Sequence, residues 1–262
     1  MLSTWLDGAE KSLPAAKALI SPHAGYSYCA KTAAHAYKHV DTSNIKTVFV
    51  LGPSHKVYIT DCALSKCKYY DTPFGNITLN RKYINELNDT GKFHFMTVDN
   101  DENEHSLEMQ VPFIKKVFDD KGKNFDMVPV MVGHLDDESV QQYGEIFRPY
   151  LENPENLFVI SSDFCHWGHR FKFTTYNPDE GEIYESIEAL DRRGMNLIEN
   201  QEVEGFREYL TETKNTICGR NPISIFLSAL KQSNLNTNTK FVHYSQSGRV
   251  TEKFDSSVSY AA

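Results

Sequence analysis

Three short apolar runs, each ending abruptly in a cluster of polar residues, constrain the fold of this chain most. They are Ala18-Leu19-Ile20, Thr47-Val48-Phe49-Val50-Leu51 and Asn156 to Ile160. A strand covered on both faces reads as a continuous apolar run, whereas a half-exposed one alternates. Met127 to Val132 is a fourth run of this kind, and Val57 to Leu64 reads as another strand, followed by a turn at Thr72 to Asn76. Between the strands lie segments of helical composition or spacing: Cys29 to Val40, Ser106 to Phe118 and Glu138 to Leu151. Pro112 is tolerable in the early turns of the second. The last third is helical over Gly181 to Asn200, Glu202 to Thr213 and Pro222 to Lys231, with closing strands at Lys240 to Tyr244 and Ser257 to Tyr260. This alternation predicts an α/β fold with a mixed, mostly parallel central sheet flanked by helices. The 262 residues hold no repeat or linker, so a single domain over residues 1–262 is expected.

Charge and hydropathy exclude two classes of partner. Lys and Arg number 27 against 35 Asp and Glu, a net charge of −8 with no clustered basic face, so nucleic acid is not expected. No apolar run approaches the roughly 18 residues a membrane span needs, so no membrane insertion is expected. The first residues lack a basic segment followed by an apolar core, unlike a signal peptide. Five cysteines, an odd and sparse set, fit reduced thiols in a reducing compartment. Cys62 and Cys67 have no second pair and read as small apolar fillers. These features point to a cytoplasmic protein, with the nucleus a second compartment. The closing strand reaches Ala262 with no turn behind it, so the ends read as cut.

The chemistry-bearing residues follow the strands. Ser21-Pro22-His23-Ala24-Gly25-Tyr26 follows the first, Gly52-Pro53-Ser54-His55 the second, and Ser161-Ser162-Asp163-Phe164-Cys165-His166-Trp167 the run ending at Ile160. In open α/β sheets, ligands bind beyond the carboxyl ends of the strands. Histidines at several such ends point to a metal or acid–base site. Gly25 and Gly52 permit tight turns or close backbone approach, and Pro22 and Pro53 fix φ just before the histidines. Glu102 to Glu108 adds an acid and His105 at a helix start, where Ser106 is equally readable as a plain N-cap. Thr216-Ile217-Cys218-Gly219-Arg220 sets Cys218 at the start of a helix, where the dipole is expected to lower the thiol pKa.

His23-Ala24-Gly25-Tyr26, Leu51-Gly52-Pro53-Ser54-His55, Glu104-His105-Ser106-Leu107-Glu108-Met109, Ser161 to Gly168, Thr216 to Gly219 and Asp255 to Tyr260 together resemble the Memo family, the mediators of ErbB-driven cell motility. The resemblance runs from about His23 to the C-terminus. It implies a fold similar to the class III non-haem iron extradiol dioxygenases. It implies a pocket in which His23, His55 and Cys218 are the metal residues, with Asp163 and His166 beside them as catalytic groups. It also implies a copper or iron ion, and partners among phosphotyrosine receptor tails and regulators of actin and microtubules. In the dioxygenases a carboxylate completes the metal face, whereas Cys218 takes the matching place here. A thiolate favours softer ions such as Cu(I) and donates strongly to iron, which argues against ring cleavage. Memo-like chains usually begin with a further segment containing His-Ala-Gly-Ser-Trp-Tyr, which this chain lacks; Trp5-Leu6 reads instead as part of a first helix.

Three functions follow. The first is copper- or iron-dependent redox chemistry coupled to receptor tyrosine kinase signalling, the cytoskeleton and cell motility, with Asp163 or His166 donating a proton or orienting a ligand. The second is a non-catalytic adaptor whose crevice, lined by Tyr26, Tyr28, His55, Trp167 and Arg220, accepts a phosphotyrosine. The third is a hydrolase using Ser54 with His55, or Cys218 with a histidine. His105 is a further pocket residue.

Overall fold

Buried apolar runs become strands because each side chain can pack on a helical layer above or below the sheet. The computed structural model describes every residue from Met1 to Ala262. Its strands are β1 (Ala18–Ser21), β2 (Thr47–Pro53), β3 (Cys62–Leu64), β4 (Tyr69–Tyr70), β5 (Ile77–Leu79), β6 (Phe93–Phe95), β7 (Asp126–Val132), β8 (Asn156–Ser161), β9 (His166–Trp167), β10 (Tyr244–Gln246) and β11 (Ser257–Ala261). The main sheet runs β1-β8-β2-β7-β3-β6, with β5 pairing β4 and β7. Its pairs are parallel except β3 with β7 and β4 with β5. The second sheet, β10-β11-β9, is antiparallel. The expected mixed, mostly parallel sheet is therefore present.

Register sets the site. β1, β8 and β2 are neighbours and parallel, with Ser21 opposite Ser161 and Leu51 opposite Ile160. The segments leaving those strands therefore emerge side by side, bringing His23, His55 and Asp163 to one end of the sheet. Phe49 and Phe158, directly opposite in register, stack at 4.7 Å in the core beneath. Pro129 sits inside β7 at the point where the strand's second edge passes from β5, paired at Asp126 and Met127, to β3, paired at Val130 to Val132. A missing N–H is tolerated there because no ladder bond is due.

The helices are α1 (Leu2–Gly8), α2 (Tyr26–Tyr37), α3 (Arg81–Asp89), α4 (Val98–Asn103), α5 (His105–Glu108), α6 (Val111–Asp119), α7 (Asp137–Glu152), α8 (Ile183–Glu199), α9 (Val203–Thr213) and α10 (Arg220–Lys231). α10 is buried from Asn221 to Leu230, packed against α7, α9, β2 and β8. No helix is long and apolar enough to cross a membrane.

Four expectations need correction. The helix expected over Ser106 to Phe118 is two, because Pro112 lies in the first turn of α6 and cannot continue an earlier helix's hydrogen bonds. Of Val57 to Leu64 only Cys62–Leu64 pairs as strand. The strand expected over Lys240 to Tyr244 begins instead at Tyr244. Gly25 has φ −54°, and an added Cβ there would meet nothing nearer than 3.7 Å, so the turn needs no glycine. Gly52 does need to be glycine: a Cβ would stand 2.6 Å from Ser106 Oγ.

Candidate metal centre

His23, His55 and His105 converge so that one ligand atom from each lies within 4.8 Å of the others. His23 is buried, His105 partly buried, and His55 stands at the exposed mouth. The His23 ring meets His55 and His105 edge-on, with centroids at 5.1 and 5.5 Å. His55 and His105 stack at 4.5 Å with ring planes 29° apart. Cys218 joins at one side, its Sγ 3.2 Å from His23 Nε2.

Hydrogen bonds fix which ring nitrogens carry protons. Ser161 Oγ donates to the Ser106 carbonyl at 2.6 Å and accepts from Gln110 Nε2 at 2.9 Å. Its one proton is thus committed, so His23 Nδ1, 2.7 Å away, donates to it. His23 Nε2 is left with a lone pair facing Cys218. Gln110 is itself fixed, donating to the Ser21 and Pro22 carbonyls while its Oε1 accepts from Tyr37.

Glu104 does the same for His55. Its buried carboxylate accepts from His55 Nδ1 at 2.9 Å, from His55 N at 2.6 Å and from Ser106 N at 2.9 Å. Burial alone would raise this carboxyl, but the three bonds hold it down at about 2. A carboxylate on one ring nitrogen orients the other toward a metal and raises its basicity.

Asp163 is buried, and Oδ1 accepts from His23 N at 2.8 Å and Ala24 N at 3.3 Å. No helix begins there for it to cap; it fastens the turn carrying His23. His166 Nδ1 faces the Phe164 and Thr216 carbonyls at 2.9 and 3.2 Å and so carries the proton. Burial raises the Asp163 carboxyl and lowers the His166 imidazole. Burial, then the neighbouring imidazoles, pushes His23 well below the ordinary histidine range, and burial followed by His55 lowers His105. His23 and His105 are therefore biased toward neutral imidazoles, the form that binds a metal.

Cys218 departs from expectation. It lies just ahead of α10, as expected, but burial, followed by the Asp163 charge, pushes its thiol up instead of down. Gly219 follows it because a Cβ there would come within 2.5 Å of the Ser161 carbonyl oxygen.

The remaining expected pocket residues spread out. Tyr26 packs edge-on against Trp5 and Phe113 and donates to the Met109 carbonyl. Trp167 is buried with Cys165, Phe173, Ile183, Ile187 and Val250, its indole N–H on the Thr175 carbonyl. Arg220 donates to the Ile217 carbonyl. A cavity of about 750 Å³ that runs along β1, Phe226 and residues 236–242 is lined by none of His23, His55 and His105.

The family model for Memo-like proteins matches residues 1–262. The chain belongs to the Memo family. It is 48% identical to the memo-1 homologue of Caenorhabditis elegans over 100% of this chain and 75% of that protein. It is 46% identical to MEMO1 of Rattus norvegicus and 45% identical to MEMO1 of Homo sapiens, in both over 100% of this chain and 89% of the relative. An uncharacterized protein, JW3007 of Escherichia coli K12, aligns in structure at a TM-score of 0.46 and 14% identity, over 83% of this chain and 86% of that one.

Proposed function

We propose that this Memo-family chain binds one copper or iron ion through His23, His55 and Cys218 and supports redox chemistry of that ion. The carrying observation is the convergence of three imidazoles beside a thiol, with His23 and His55 held in the tautomer that frees Nε2. Two imidazoles and a sulfur suit Cu(I), and iron accepts the same donors. When bound, the ion would supply one-electron chemistry. The chain's own residues do the rest. Cys218 starts as a thiol donating to His23 Nε2, so metal binding displaces one proton from it. Glu104 and Ser161 hold the two rings in place. His105, stacked on His55 and lowered by burial and by His55, stands as a neutral imidazole beside the site. Asp163, biased toward its neutral carboxyl, is the proton donor to a substrate, and His166, whose one proton is committed to the Phe164 and Thr216 carbonyls, orients or accepts through Nε2.

The resemblance extends the reading to partners: phosphotyrosine receptor tails and cytoskeletal regulators, with a role in motility signalling. Elemental analysis of chelator-free protein, with Cys218→Ser alongside, tests the metal reading. Near-stoichiometric copper or iron in the wild type and its loss in the variant support it. Metal-free wild-type protein that binds phosphopeptide would favour an adaptor instead.

A further inference from the structure

A fully buried carboxylate lies behind the site with no cation beside it. Asp191 of α8 is 0% exposed, and its Oδ1 accepts from Cys165 N at 3.2 Å and from Asn215 Nδ2 at 2.9 Å. Its Oδ2 accepts from Tyr244 Oη at 2.9 Å. A buried carboxylate is costly unless its lone pairs are filled, so the surrounding donors hold it and it holds them.

Each donor belongs to a different segment, and two of the three segments carry site residues. Cys165 lies between Asp163 and His166. Asn215 immediately precedes Thr216, whose hydroxyl binds the His166 backbone twice: His166 N donates to Thr216 Oγ1 at 2.7 Å, and Thr216 Oγ1 to the His166 carbonyl at 2.9 Å. Cys218 follows two residues later and accepts from Asp163 N at 3.2 Å. Tyr244 lies on β10, next to β11, whose Ser259 binds Phe164 N and the Cys165 carbonyl. The Asn215 side chain is otherwise tied only to Tyr209 Oη, and its Oδ1 has no partner, while its backbone N donates to Thr213 Oγ1 at 3.2 Å. The placement of its side chain therefore depends on Asp191.

We propose that Asp191 is a positioning residue: by holding Cys165 N, Asn215 and Tyr244 at once, it sets how the Asp163–His166 segment meets the Thr216–Cys218 segment. It touches no proposed metal ligand and no substrate. Without it, Cys218 would swing away from His23 while the sheet beneath stayed intact.

The inference rests on Cys218 belonging to the site, and its test needs no metal. Metal-free wild type, Asp191→Ala, Asp191→Asn and Asn215→Ala are pulsed briefly with iodoacetamide, and labelling is read at each cysteine by mass spectrometry. Asp191→Ala should label Cys218 about tenfold faster than wild type, the effect of losing hydrogen bonds to a charged group. Buried Cys29 and Cys62 should keep their slow rates. Asp191→Asn keeps an oxygen facing Cys165 N and Asn215, so its Cys218 rate should stay within about twofold of wild type. If Asp191→Ala does not fold, Asn215→Ala carries the test and should raise Cys218 labelling selectively. Unchanged Cys218 labelling in a folded variant overturns the inference. So does a parallel rise at all five cysteines, which would mean general loosening. If wild type binds neither copper nor iron yet this selective rise appears, the metal reading fails and the positioning role stands.

Discussion

Replacing Glu104 with Gln should destabilise the metal-free protein in a manner that depends on pH. The buried carboxylate accepts three hydrogen bonds, two from His55 and one from Ser106 N. Burial opposes its ionisation, yet these bonds hold it at about 2 against an ordinary 4.5. The gap between those values corresponds to about 3 kcal/mol at neutral pH. Solvent reaching the pocket mouth beside His55 screens part of it, which leaves about 2 kcal/mol. The folded value lies below the unfolded one, so the stabilisation is full above about pH 4.5 and is lost as pH falls toward 2. Urea unfolding followed by the fluorescence of Trp5 and Trp167 measures it. Wild type should exceed Glu104→Gln by about 2 kcal/mol at pH 7 and by less than half of that at pH 3. A difference that is absent at pH 7, or the same at pH 7 and pH 3, would refute the claim that this carboxylate is held ionised by His55 and Ser106.

Other changes separate site from scaffold. Gly219→Ala should cost about 1–3 kcal/mol by crowding Ser161 and Ser162, and should weaken copper binding at least tenfold because Cys218 moves with it; thermal melts and metal titration check both. Phe158→Ala removes a ring stacked in the core and should cost about 3–5 kcal/mol, while metal per folded molecule stays unchanged. In metal-free protein at neutral pH, Cys218 should alkylate more slowly than Cys67, which is partly exposed as Cys218 is, because the desolvated setting of the Cys218 sulfur raises its thiol; a faster rate would overturn that reading.

Much of this was legible in the chain. Continuous runs such as Thr47 to Leu51 announce strands covered on both faces, and polar clusters after them mark the sheet end where His23, His55 and Asp163 meet. What is not legible is long-range pairing. Glu104 reads as an acid beside His105, but its partner is the ring of His55, 49 positions away. Gln110 reads as an ordinary helix residue, yet its amide spans 89 positions to reach Ser21. No local pattern encodes either contact. The raised Cys218 thiol is not legible either, because the helix start is local, whereas burial and the Asp163 charge come from segments far along the chain. Short elements between Arg81 and Asn103 escaped because their apolar spacing is too brief to establish a period.

The most direct measurement is an anaerobic titration of metal-free protein with Cu(I) in competition with a chromophoric chelator, repeated with Fe(II). The account predicts one tight site per chain in the wild type, weakened at least tenfold in each of His23→Ala, His55→Ala and Cys218→Ser, about 1.4 kcal/mol or more apiece. It predicts a smaller loss in His105→Ala. Uptake as tight in all three single variants as in the wild type, or no uptake by the wild type itself, would contradict it.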